Sequence, residues 1–238
     1  MVGIGPGDPL DRTRRAEAAI IGSDVVVGYR QYVDLIADLT KGKEIVASGM
    51  TQEVDRCREA LRHAVAGKNV ALVSSGDPGV YGMAGLVLEM AAGEDYYASI
   101  EVIPGVTSAN AGAARMGAPL MLDYATISLS DLLISWTTIR TRLAAVAAAD
   151  LVVALYNPRS RKRIRQLEEA AAIFLAHRSE ETPVGIATAV GRRGEQIILS
   201  DLGHFLNEPI GMQSTVIIGN SASRTTCDWF ITPRGYRL

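Results

Sequence analysis

Val70-Ala71-Leu72-Val73-Ser74-Ser75-Gly76-Asp77-Pro78-Gly79 decides the fold. A short, partly β-branched apolar run ends in a small polar turn, and a helix-period segment over residues 80–92 follows it, which is one strand-loop-helix unit. The same order recurs upstream and downstream. Strands are expected at 2–4, 24–27, 44–46, 70–74 and 101–103, with helices over 12–22, 51–66, 80–92 and 106–115. In the second of these helices Val54, Cys57, Ala60, Leu61 and Ala64 form one apolar face and Thr51 is placed to cap its N-terminus. The stretch Gly117-Ala118-Pro119-Leu120-Met121-Leu122-Asp123 breaks the rhythm, so a boundary is expected between an N-terminal α/β domain, 1–117, and a C-terminal α/β domain, 118–238. Beyond it, strands are expected at 124–128, 151–155, 183–188, 195–199 and 214–218, with helices over 136–148 and 160–177. The runs flanking Gly191-Arg192-Arg193-Gly194 read as a hairpin. The fold class is α/β, doubly wound, with a mostly parallel N-terminal sheet and a mixed C-terminal one.

Composition agrees. The chain has 238 residues, of which 48% are apolar, 21% charged and 5% aromatic. That excludes intrinsic disorder and suits close-packed helices on a buried sheet. A formal net charge of −2 argues against a global basic face for nucleic acid or anionic lipid. Cys57 and Cys227 lack metal-ligand spacing, and neither a disulfide scaffold nor a metal site is implied. No apolar run reaches the ~20 residues of a membrane span, and Gly3-Ile4-Gly5-Pro6-Gly7 follows the start without a basic leader. A soluble cytoplasmic protein with no membrane or nucleic-acid partner is expected.

In open α/β sheets ligands bind beyond the carboxyl ends of strands. The loops there are small and polar. Gly3-Ile4-Gly5-Pro6-Gly7-Asp8 resembles a dinucleotide fingerprint but carries Asp8 where the third glycine belongs, and Pro6 removes an N–H; both oppose a pyrophosphate. Ser75-Gly76-Asp77-Pro78-Gly79 suits a nucleoside without phosphates, since glycines admit a ligand to the main chain and Asp77 can accept hydrogen bonds from hydroxyls; as an isolated Asp-Pro-Gly turn it would equally be structural. Pro104-Gly105-Val106-Thr107-Ser108-Ala109 opens a helix of small residues in which Thr107 or Ser108 can cap or bind. Arg159, Arg161, Lys162, Arg163 and Arg165 crowd the expected start of a helix, where the macrodipole disfavours cations, so the cluster is either a solvated basic face or a seat for an anion. His63, His177 and His204 show no metal spacing, and hydrolase or kinase motifs are missing.

Taken in order, Gly3-Ile4-Gly5-Pro6-Gly7-Asp8-Pro9, Ser75-Gly76-Asp77-Pro78-Gly79-Val80-Tyr81, Val102-Ile103-Pro104-Gly105-Val106-Thr107-Ser108-Ala109, Tyr156-Asn157-Pro158-Arg159-Ser160 and Gln213-Ser214-Thr215-Val216-Ile217-Ile218-Gly219 resemble the tetrapyrrole (corrin/porphyrin) methylase family over essentially the whole chain. Within it, Ile127-Ser128-Leu129-Ser130-Asp131-Leu132-Leu133, the Tyr-Asn-Pro-Arg-Ser loop and Ile231-Thr232-Pro233-Arg234-Gly235-Tyr236 look most like the branch that methylates precorrin-3B at C17. The resemblance implies the class III methyltransferase fold with its active site between two α/β domains, S-adenosylmethionine as donor (product S-adenosylhomocysteine), a homodimer, and C17 methylation with ring contraction to precorrin-4 in cobalamin biosynthesis.

It further implies that the donor meets Gly76, Asp77, Val80, Tyr81, Thr107, Ser108, Tyr156 and Asn157, with Ala187, Ser214 and Thr215 on its adenine side. Gly5, Pro6, Gly7, Ser130 and Arg159 would face the tetrapyrrole, and Asp8 and Asp131 are the candidate catalytic proton acceptors. Two departures from the family pattern stand out. The chain starts at Met1-Val2, where relatives carry several earlier residues, so a shortened first strand is expected. Leu122 stands where a histidine is expected, so no acid-base duty carries over there. The alternatives are a methylase of the cobalt-containing intermediate cobalt-factor III or of another corrin carbon, a nucleotide-binding module without catalysis, and an NAD(P)-binding protein.

Overall fold

Alternation within the strands of the N-terminal half explains its layering. The structure is a computed structural model describing residues 1–93 and 99–237. Its contacts divide the chain into two units, Met1–Ser108 and Ala109–Leu238. The first contains β1 (Val2–Gly3), α1 (Arg14–Ile21), β2 (Val25–Tyr29), α2 (Arg30–Asp34), β3 (Glu44–Ser48), α3 (Glu53–Val65), β4 (Val70–Ser74) and α4 (Ala84–Gly93). The sheet runs β1-β4-β2-β3 with every pairing parallel. Val25, Val27 and Leu72 point to one face and pack with Cys57, Ala60 and Leu61 of α3 and Ala84 and Val87 of α4. Val26, Ala71 and Val73 point to the other, against Ala16 and Ile20 of α1 and Val33 of α2. Both faces are therefore covered by helices, as a parallel sheet requires.

The second unit contains α5 (Ser108–Met116, whose first residue belongs to the unit before), β5 (Gly117–Ala118), β6 (Tyr124–Ser128), α6 (Trp136–Ala148), β7 (Val152–Tyr156), α7 (Arg165–Leu175), β8 (Pro183–Thr188), β9 (Gln196–Asp201), β10 (Ser214–Ile218), β11 (Arg224–Thr226) and β12 (Trp229–Ile231). Its main sheet runs β6-β7-β10-β8-β9, parallel only between β6 and β7, and a small sheet runs β11-β12-β5. The core joins Val153, Leu155, Ile186, Val216 and Ile218 of the sheet to Ile139 and Leu143 of α6 and Leu167 and Phe174 of α7. The α/β class, the parallel first sheet and the mixed second sheet with its β8–β9 hairpin match the sequence expectation.

Several boundaries differ, each for a local reason. The contacts divide the chain after Ser108: β5 pairs with β12, and Gly112 faces Ala187 closely enough that a side chain there would collide with it. The strand expected at 101–103 is reduced to a single bridge between Val2 and Ile103, because the next amide that could extend the ladder, Gly105 N–H, donates to Asp77 Oδ2 instead. Thr51 does not cap α3. It is left-handed, at φ 62°, Gln52 takes the N-cap position, and the Gln52 side chain accepts from Gly49 N–H instead. Helix α4 starts at Ala84, not 80, because Tyr81 is left-handed at φ 54°. Helix α7 starts at Arg165, since residues 160–163 close a turn in which Ser160 Oγ accepts from the N–H of Lys162 and Arg163. Among the described residues no helix is long and apolar enough to cross a membrane, and no group of three or more His, Cys, Asp or Glu could hold a metal ion.

Burial pushes the Cys57 thiol on α3 up to about 11, whereas Cys227 is exposed. At about pH 8 a thiol reagent is expected to label Cys227 and spare Cys57 in the folded protein. Peptide mass mapping that finds equal labelling of the two would contradict this packing.

Candidate active site

Because the strands of the first unit are all parallel, their carboxyl ends share one edge, and three glycine loops meet there. Gly5 and Gly76 exchange backbone hydrogen bonds, Gly5 N–H to Gly76 O at 3.2 Å and Gly76 N–H to Gly5 O at 2.8 Å. Gly76 adopts φ 64°, which keeps the turn after β4 tight. Asp77 then ties this loop to the next: Oδ1 accepts from Gly79 N–H at 2.8 Å and Oδ2 from Gly105 N–H at 3.0 Å. The residue read from the sequence as a ligand acceptor is thus also the clasp between two loops, and each carboxylate oxygen has one further lone pair available. Val80 is half-buried and Tyr81 is 52% exposed; Thr107 and Ser108 are half-buried at the start of α5. Gly5, Pro6 and Gly7 are buried beside half-buried Asp8, whose Oδ1 accepts from Leu10 N–H at 2.9 Å and caps the short turn that follows.

In the second unit the directions of the strands bring a comparable set together. β8 lies antiparallel to β10 and β10 antiparallel to β7, so the carboxyl ends of β6, β7 and β8 and the amino end of β10 lie on one edge. Ala187 is in register with Thr215, and Thr188 with Ser214. All but Thr188 are buried. The Ser214 hydroxyl is used within the fold, 2.7 Å from Thr188 Oγ1 and accepting from Gly211 N–H at 3.0 Å. Tyr156 Oη accepts from Ala109 N–H at 3.2 Å, satisfying one amide at the start of α5. Asn157, left-handed at φ 50°, donates from Nδ2 to Ser128 Oγ at 3.0 Å, and Ser128 Oγ also accepts from Ser130 N–H at 3.2 Å. The loops carrying Ser130 and Asp131 and carrying Asn157 and Arg159 are therefore joined. Asp131 is exposed, with Oδ2 accepting from Gln166 Nε2 at 2.8 Å; Arg159 is half-buried.

Three residues that are not glycine hold left-handed backbone on these loops, Tyr81, Asn157 and Ala189. Such strain gathers where a loop must present groups in one geometry. Asn157 carries a sequence signal for it, since Asn tolerates this region; Ala189 carries none. Ser128, Thr188 and Arg163 likewise emerge as supports only through their hydrogen bonds. Chemically, the first-unit loops offer backbone amides, prolines without N–H, and the carboxylates of Asp8 and Asp77. These residues fit hydroxyls and a cationic centre and do not fit a pyrophosphate.

A profile of the family described as Tetrapyrrole (Corrin/Porphyrin) Methylases matches residues 1–205. The chain is 47% identical to a protein of Priestia megaterium named cobalt-factor III methyltransferase, covering 100% of this chain and 45% of that one. It is 44% identical to a protein of Salmonella typhimurium strain LT2 named probable cobalt-factor III C(17)-methyltransferase, covering 100% of this chain and 99% of that one. It thus spans about half the length of the first of these relatives and nearly all of the second. The crystal structure of the methyltransferase CobJ aligns at a TM-score of 0.89 with 33% identity, covering 98% of each chain. A uroporphyrin-III C-methyl transferase of Thermus thermophilus, complexed with S-adenosyl homocysteine, shares the fold at a TM-score of 0.67 with 20% identity, covering 92% of this chain and 90% of that one.

The clasp makes its own prediction. Asp77→Asn replaces one accepting oxygen by an amide that cannot accept from Gly79 or Gly105, and is expected to cost about 1–3 kcal/mol. Gly105→Ala would drive a Cβ into Gly76 O and the Gly3 backbone, with a similar expected loss of about 1–3 kcal/mol. Urea denaturation measures both, and unchanged midpoints would show that the loops are not interlocked.

Proposed function

The chain belongs to the tetrapyrrole (corrin/porphyrin) methylases, and from that premise we propose that it is an S-adenosylmethionine-dependent C-methyltransferase of cobalamin (corrin ring) biosynthesis, acting at C17 with ring contraction. The observation that carries this reading is the interlocked Gly5, Gly76, Asp77 and Gly105 loop set, which presents amides and a carboxylate but no cation, in a chain that matches the family along 1–205. Two acceptors are consistent with it. The motifs favour precorrin-3B, giving precorrin-4, and the names of the relatives favour its cobalt-containing counterpart, cobalt-factor III.

When bound, the sulfonium donor supplies an electrophilic methyl group. Gly76, Asp77, Val80, Tyr81, Thr107 and Ser108 of the first unit and Tyr156 and Asn157 of the second are the residues assigned to the donor, with Ala187, Ser214 and Thr215 assigned to its adenine side. Gly5, Pro6, Gly7, Ser130 and Arg159 face the tetrapyrrole. Charge disperses during such a displacement, so orientation and exclusion of water by these loops supply most of the acceleration and no nucleophilic side chain is needed. Ring contraction requires a proton acceptor at a ring hydroxyl. Asp8 and Asp131 fill that role: each carboxylate has one hydrogen-bonded oxygen, from Leu10 N–H and Gln166 Nε2 respectively, leaving the other to accept. The protein acts as a cytoplasmic homodimer, which light scattering tests.

Calorimetry is expected to give one S-adenosylhomocysteine site per chain. Incubation with labelled donor and either precorrin-3B or cobalt-factor III, followed by mass analysis, identifies the acceptor, and no methylated product from either would overturn the proposal and leave a binding module. Asp8→Asn or Asp131→Asn is expected to lower turnover by about 10²-fold or more with donor affinity unchanged. If neither does, both assignments fail.

A further inference from the structure

The cations crowded around the β7–α7 connection do not behave alike. Arg161, Lys162 and Arg165 are exposed, and Arg165 pairs with Glu169 at 3.2 Å. Arg163 is only 8% exposed, and Arg159 is half-buried. Arg163 donates from Nη2 to Asn157 O at 2.8 Å and lies 3.7 Å from Met212 Sδ, and its Nε is buried without a hydrogen-bond partner. The Nε of Arg159 is buried and unpartnered as well. Among the described residues neither guanidinium has a carboxylate partner. Arginine almost never goes inside without an anion or a full set of acceptors, because desolvating the charge is costly.

The surroundings add to the imbalance. Helix α7 begins at Arg165 behind Ile164, which provides no side-chain cap, and its first turn holds only Glu168 as an acid. The positive end of the macrodipole therefore begins two residues beyond the buried Arg163. The loop that carries Arg159 and Arg163 is not free to move the charges apart. Asn157 holds its left-handed turn by bonding Ser128 through its amide and Arg163 through its carbonyl, and Ser160 N–H donates to Arg163 O at 2.9 Å. The fork of an arginine matches a planar carboxylate with two parallel hydrogen bonds.

We propose that Arg159 and Arg163 form a built seat for one carboxylate side chain of the tetrapyrrole acceptor, with Arg159 in contact and Arg163 positioning the loop through Asn157 while adding the second positive charge. This rests on the tetrapyrrole reading above and adds to it the second residue, the division of roles and the group that is bound. The exposed Arg161 and Lys162 take no part.

Uroporphyrin I, an octacarboxylate tetrapyrrole, serves as the probe, its binding followed by absorbance and compared with calorimetry of S-adenosylhomocysteine on the same samples. Arg159→Gln is expected to weaken uroporphyrin binding about tenfold and to leave S-adenosylhomocysteine affinity within about twofold, whereas Arg161→Gln changes neither by more than about twofold. Arg163→Lys, which keeps the charge, is expected to retain more uroporphyrin affinity than Arg163→Met, with thermal midpoints confirming that both variants fold. Equal losses in Arg159→Gln and Arg161→Gln would reduce the effect to general surface charge and overturn the seat. Equal losses in Arg163→Lys and Arg163→Met would overturn the electrostatic role of Arg163. Wild-type protein that binds S-adenosylhomocysteine but not uroporphyrin would overturn the seat alone; binding of neither would overturn the methylase reading and the seat with it.

Discussion

The near-contact of bare backbone among the loops at the carboxyl ends of β1 and β4 and at 104–108 is the constraint on which the first unit depends. A Cβ on Gly105 would meet Gly76 O and the Gly3 carbonyl group, so no other residue fits there without moving a main chain. That closeness lets Gly5 and Gly76 bridge beyond their strands and lets Asp77 reach Gly105 N–H. Small residues are used here for approach of chain to chain, and the Asp77 carboxylate that ties the loops keeps lone pairs that a ligand without phosphates would meet. Asp77 is thus a clasp between loops and, by the same carboxylate, a candidate ligand group.

The second unit solves the corresponding problem with side chains. Its loops at the ends of β6 and β7 are joined through Ser128 and Asn157, with Arg163 beneath Asn157, and its β8–β10 edge is closed by the Thr188–Ser214 hydroxyl pair. The left-handed backbone at Asn157 and Ala189 costs energy that these bonds and the buried sheet beneath offset. Polar networks of this kind hold one geometry well because leaving any member unpaired is expensive.

Charge follows a similar division. The side chains of Arg12, Arg56 and Arg178 are buried, but each has an acidic group within reach: Asp38, Glu53 and Asp150 respectively. The Arg12 guanidinium, through its hydrogen bond, holds the Asp38 carboxyl below the usual carboxylate range. Against that background the uncompensated pair at 159 and 163 stands apart, and so does its position at the carboxyl end of β7, on the edge that also carries Ser130 and Asp131.

Much of this was legible in the order of residues. Apolar runs and period-3.6 patterns located every strand of the two main sheets and six of the seven helices, missing the short α2 at Arg30–Asp34, because a strand buried on both faces and a helix covering it leave long apolar patterns in the chain. The family motifs located the loops. What the chain order left open was everything that depends on which atoms meet across long separations: the failure of 101–103 to form a strand, the left-handed turns at Thr51, Tyr81 and Ala189, and the helix start at Arg165. An alanine or threonine gives no sign of a left-handed turn in the sequence, because that region is unfavourable for it and is held only by contacts its neighbours supply. So too a run of five basic residues at 159–165 looks uniform as a string, and only tertiary burial, by removing water from two of them and supplying no acid, makes those two different from the rest.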